Sequence, residues 1–125
     1  MFSHIMLGSN DIERSRKFYD AIFTTIGGTP GELDAKGRLL YIYDGGRLMI
    51  SKPLNGEPAT AGNGTTIGFA IGTPEKIDAW WKAGGENGGQ QIEDPPGIRK
   101  GALGAMYLAY LRDPDGNKLC ALLKM

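Results

Sequence analysis

Apolar and polar positions along the chain follow two rhythms, and the same order of rhythms occurs twice. Residues 2–8, FSHIMLG, form a short apolar run that predicts a strand. Asn10 follows as a helix N-cap, and Glu13 completes a start resembling a capping box. Ile12, Phe18, Tyr19, Ile22 and Ile26 then recur at close to the helical period, so one face of the predicted helix is apolar. Glu13 and Lys17 form a favourable pair on the opposite side. Gly27-Gly28 is read as the stop. Extended segments follow around 30–34, at 38–44 (RLLYIYD) and at 47–53 (RLMISKP), the last two joined by the turn signal Asp44-Gly45-Gly46.

NGEPATAGNG at 55–64 has no periodicity and reads as a connector. The pattern then begins again. TTIGFAIG at 65–72 predicts a strand, and Thr73-Pro74 is a good N-cap followed by proline at the first helical position. Ile77, Trp80 and Trp81 mark a helix face, and Gly84-Gly85 its expected end. Extended pieces follow at 90–94, 104–111 (GAMYLAYL) and 117–123 (NKLCALL), with Asp115-Gly116 turning between the last two. The order is strand–helix–strand–strand–strand, twice. This repeat predicts one α+β domain over 1–125, with module one at about 1–54, module two at about 64–125, and mixed, mostly antiparallel sheets.

Charge narrows the function classes. Lysine plus arginine equals aspartate plus glutamate at 14 each, and the signs are mixed along the chain. That speaks against nucleic-acid binding and against a basic membrane-binding surface. No apolar run is long enough to span a bilayer, and no basic segment leads an apolar stretch, so no signal peptide is expected. One cysteine cannot close an internal disulfide, which fits a reducing cytoplasm. The 20 glycines fall mostly between patterned segments, as the punctuation of tight turns.

The opening HIMLGSNDIERSRKFYDAIF, the ending YLAYLRDPDGNKLCALL and the βαβββ repeat together resemble the vicinal oxygen chelate superfamily of glyoxalases, bleomycin-resistance proteins and dioxygenases. The resemblance covers essentially the whole chain. It implies two modules, each a curved half-barrel sheet, enclosing a small-molecule pocket, and a homodimer. In metal-dependent members a histidine lies in the opening strand, and His4 matches it. A second histidine lies in the first strand of module two, where this chain has Thr66. A glutamate follows the DPDGN turn, where this chain has Cys120. Glyoxalase-type enzymes add a carboxylate in the last strand of module one, where RLMIS supplies none around Ile50.

His4, the only histidine, therefore has three readings: a metal ligand, a general base in a metal-free pocket, or a hydrogen-bonded remnant of a lost site. Cys120 reads as a small buried apolar residue, as a soft ligand, or as a nucleophile should His4 lie within reach. Nothing in the sequence supplies an oxyanion hole. Tyr41, Tyr43, Tyr107 and Tyr110 lie on strands, where some would wall a pocket and others simply pack the sheet. Arg99 and Lys100 fall in PPGIRKGALG, read as a glycine-rich loop that is either solvated or able to close over an anion. The pocket expected from the sequence is lined by His4, Ile50, Thr66, Tyr107 and Cys120. The function expected is metal-independent small-molecule binding at a degenerate metal site, with no cofactor. The alternatives are a metal-dependent lyase or dioxygenase using His4 and a divalent ion, and a metal-free sequestering protein of the resistance type.

Overall fold

Both repeats fold to the same plan in a computed structural model that describes residues 1–125. In module one, β1 (Ile5–Gly8) leads to α1 (Ile12–Thr24), then β2 (Glu32–Leu33), β3 (Leu39–Tyr43) and β4 (Gly46–Ser51). In module two, β5 (Ile67–Ala70) leads to α2 (Pro74–Glu86), then β6 (Gln90–Gly101), β7 (Gly104–Arg112) and β8 (Lys118–Lys124). The sheets have orders β1-β4-β3-β2 and β5-β8-β7-β6. In each, the first strand pairs in parallel with the last and the remaining pairs are antiparallel. The architecture is α+β with two four-stranded mixed sheets. Neither helix is long and apolar enough to cross a membrane.

Local chemistry explains most element boundaries, with four differences from the sequence reading. The N-cap of α1 is Asp11, whose Oδ1 accepts from Arg14 N–H (3.0 Å). Asn10 is committed elsewhere: its side chain brackets the connector, accepting from Ala59 N–H (2.7 Å) and donating to Ala59 O (3.1 Å). Helix α1 ends at Thr24, ahead of Gly27, which takes the left-handed conformation with φ +94°. Helix α2 runs through Gly84 to Glu86, and Gly84 lies under Leu111, where any Cβ would overlap that side chain. Close packing, not chain termination, requires glycine there, and the left-handed position falls later, at Gly88. Finally, β6 continues to Gly101, so Arg99 and Lys100 are strand residues, not part of a loop. A bulge between Ile92 and Gly97 absorbs Asp94-Pro95-Pro96, which could not sit in a regular ladder.

The helices and the inner faces of both sheets share one core of 17 buried residues, including Phe18, Tyr19, Ile50, Trp80, Leu111 and Leu119. Full burial of each large apolar side chain stabilises the fold by roughly 1.5–3 kcal/mol. The modules are also joined by polar contacts. The turn between β7 and β8 reaches the start of α1: Asp115 Oδ1 accepts from Asn10 N–H (2.9 Å) and Arg14 Nη2 (2.8 Å). Asp113 Oδ2 accepts from the Tyr19 hydroxyl (2.5 Å), and Asn117 Nδ2 donates to Gly8 O (3.2 Å). Burial pushes the Asp113 carboxyl above its ordinary value, against the pull of its hydrogen bonds from Tyr19 and Asn117.

Candidate functional site

Strand alternation divides each sheet into a face toward the helices and a face away from them. On β7, Tyr107, Ala109 and Leu111 join the core, so Leu108 and Tyr110 take the outward face. On β8, Leu119 and Ala121 join the core, so Lys118, Cys120 and Leu122 take the outward face. The register then aligns Gly68, Cys120 and Tyr110 in one row across β5, β8 and β7.

This row carries the densest chemistry of either outward face. Lys118 Nζ lies 4.8 Å from the Tyr110 ring centroid, and the Arg99 guanidinium lies 5.5 Å from it. Two cations therefore flank one aromatic ring. Lys118 pairs with Glu93 at 2.7 Å, and Arg99 Nη2 donates to the carbonyls of Asp94 (2.9 Å) and Pro95 (3.2 Å). Arg99 thus ties down the β6 bulge, where Glu93 holds φ +60°. A left-handed conformation at a non-glycine residue costs of order 1–3 kcal/mol and persists where surrounding contacts fix it. Gly68 leaves open space on the same face.

Cys120 is 6% exposed. Burial pushes its thiol up, while the Tyr110 hydroxyl and the charges of Arg99 and Lys118 draw it partway back. Burial likewise raises Tyr110, with Cys120 adding to the effect. The row therefore holds a thiol, a phenol hydroxyl, a guanidinium and an ammonium, with the thiol donating to Ala121 O (3.6 Å) and the ammonium paired with Glu93.

The residues singled out from sequence do not gather at one point. Thr66 lies one residue before β5 and shares the outward parity of Gly68, so it belongs with Cys120. His4 precedes β1 on the other sheet, is exposed, and pairs its Nδ1 with Ser3 Oγ (2.8 Å). It shares no hydrogen bond with Cys120. Ile50 is fully buried among the helix-facing residues. Tyr107 turns to the helix side, where its hydroxyl donates to Asp78 Oδ1 of α2 (2.7 Å). Neither lines the outward face. A one-residue change of parity swaps the faces, and an apolar run such as RLMIS does not reveal its parity. Tyr110, Arg99, Lys118 and Glu93 were not placed in the pocket from sequence. A signal for Tyr110 was present, because the turn over 113–117 sets it opposite Cys120.

The resemblance to metal-dependent proteins implies a divalent ion, and the donor set does not fit one. Thr66 offers a neutral hydroxyl in place of a ligand, and no group of three His, Cys, Asp or Glu side chains converges.

The profile of the Glyoxalase/Bleomycin resistance protein/Dioxygenase superfamily matches residues 1–121. Among solved structures, a glyoxalase/bleomycin resistance protein from Albidiferax ferrireducens T118 is 55% identical, with a TM-score of 0.95 and 99% of each chain covered. A glyoxalase-related enzyme from Fulvimarina pelagi shares the fold at 19% identity and a TM-score of 0.73, covering 99% of this chain and 88% of its own. The fosfomycin resistance protein FosX from Mesorhizobium loti shares it at 15% identity and a TM-score of 0.69, covering 100% and 92%. No curated protein matches. With its paired modules and a profile match over nearly its whole length, the chain belongs to the glyoxalase/bleomycin resistance protein/dioxygenase superfamily.

Proposed function

We propose that this protein binds an oxygen-rich small molecule on the outward face of module two, without a metal ion. One observation carries the reading. The two module-two positions at which metal-dependent relatives are expected to hold ligands have Thr66 and Cys120, and Cys120 stands in a cluster of hydrogen-bond donors instead. Donors aimed at oxygen can orient a ligand, or polarise it, in place of a Lewis acid. The working form is a homodimer. Its support is the outward face of the module-one sheet, where Met6 and Ile42 are 43% and 54% exposed.

Elemental analysis and calorimetric titration with zinc, nickel, manganese and iron(II) test the metal-free reading. The expected result is far less than one equivalent bound. One tightly held equivalent, lost in His4→Ala, overturns it and favours the metal-dependent lyase or dioxygenase. The thiol gives a second readout. Because burial keeps Cys120 protonated, iodoacetamide at pH 7.5 should react at least ~10-fold more slowly than with free cysteine. Alkylation at the free-thiol rate would contradict the site as described.

A further inference from the structure

Between the edge strands β1 and β5 lies a cavity of about 300 Å³. It borders the donor row at Gly68, but Cys120, Tyr110, Arg99 and Lys118 do not line it. Both modules build its walls: Phe23, Tyr41, Tyr43 and Leu48 from module one, Ile67 and Phe69 from module two. The tyrosine hydroxyls are engaged elsewhere. Tyr41 donates to Asp20 Oδ1 (2.7 Å) and Tyr43 to Ile26 O (3.1 Å), which leaves the rings to face the space. Phe23 and Phe69 meet edge-to-face with centroids 5.8 Å apart across the seam. The volume lies at the lower end of the range for small-ligand sites, suited to one or two fused rings. Aromatic walls favour an aromatic guest through offset and edge-to-face packing.

The rim supplies the polar contacts. Arg47 lines it and makes no ion pair within the chain. His4 lines it too, and with Nδ1 on Ser3 it keeps Nε2 for another partner. Asp44 also lies there, on the β3–β4 turn. Its short carboxylate is exposed and well solvated, whereas a guanidinium on a long stem presents a planar fork matched to a carboxylate.

We propose that this cavity binds a small aromatic carboxylate, with the ring between the modules and the carboxylate on Arg47. The protein also acquires a different kind of selectivity here, for flat apolar anions, than its donor row would give.

The test is an NMR titration of the full chain with indole-3-carboxylate, neutral indole and benzylammonium. The expected result is saturable binding of the carboxylate, with amide shifts confined to the cavity lining: β1, β5, Phe23 of α1, and β3 and β4 with their turn. Ile67→Trp, which fills the cavity, should weaken binding at least ~10-fold while the chain stays folded by its amide spectrum. Arg47→Gln should weaken the carboxylate ~5-fold or more and leave neutral indole unchanged. Arg99→Gln, which alters only the donor row, should leave binding unchanged, so the two sites fail independently. Absence of saturable binding, tighter binding of benzylammonium, or shift changes mapping to β7 and β8 would each overturn the proposal. These readouts hold for the wild-type chain even if Ile67→Trp does not fold.

Discussion

Modules one and two have the same strand order, the same parallel first–last pair and the same helix placement, yet their outward faces differ in kind. On module one, Met6, Ile42 and Met49 make a mainly apolar surface, with Arg47 opposite Ile42 and Glu32 opposite Leu40 at its margin. On module two, Cys120, Tyr110, Arg99, Lys118 and Glu93 make a donor-rich one. The scaffolds diverge most at the outer edge. β2 spans only Glu32–Leu33, whereas β6 spans Gln90–Gly101 and carries the bulge that Arg99 ties down. Identical topology therefore positions chemistry without specifying it, and one lengthened edge strand is enough to bring two charged side chains, Glu93 and Arg99, to the row.

The sharpest test uses neighbours on β4. Ile50→Ala should cost about 2–5 kcal/mol in chemical denaturation, because Ile50 is fully buried against the helices. Met49→Ala, one residue away on the outward face, should cost less than ~0.5 kcal/mol in a monomer. A larger Met49 cost would mean that the face is covered in solution. Ile42→Lys addresses that covering directly. In light scattering at micromolar concentration the wild-type chain should have the mass of a dimer and the variant that of a monomer, since a buried unpaired ammonium costs several kcal/mol. A monomeric wild type would remove the contrast between the faces as a basis for assembly. The smallest effect concerns Asp34, which caps the β2–β3 turn. Its carboxylate accepts from the backbone N–H groups of Lys36 and Arg38 and pairs with Arg38 Nε (2.6 Å). The hydrogen bond from the Arg38 backbone leads the effects that hold its carboxyl below the usual range. A group depressed in the folded state adds stability above its unfolded value near ~3.9 and loses it as pH falls. Asp34→Asn should therefore flatten the acid side of the stability curve below about pH 4. An unchanged curve would show that the turn does not contribute.

The order of elements was legible because each depends on local pattern: the period near 3.6 in α1, Thr73-Pro74 before α2, and Asp44-Gly45 between β3 and β4. The candidate site was legible only in part. Thr66 and Cys120 were singled out through the family resemblance, but face parity along short apolar runs is set by packing against the helices. Ile50 and Tyr107, expected in the pocket, face the helices for that reason. Arg99 was hidden by PPG, which reads as a loop because prolines lack the N–H that a regular ladder requires. Gly84 misled in the opposite direction: glycine in a helix can mark a tight neighbour as readily as an end.

Tyr19, Asn10 and Arg14 of the first half reach Asp113 and Asp115 of the second across nearly the whole sequence separation. Continuity of the chain through residues 55–64 is therefore not what keeps the halves in place. Were that segment cut by a protease, the two fragments would remain docked through the shared interior and these side-chain clasps. The tether's main physical effect is to raise the local concentration of one half around the other while they assemble.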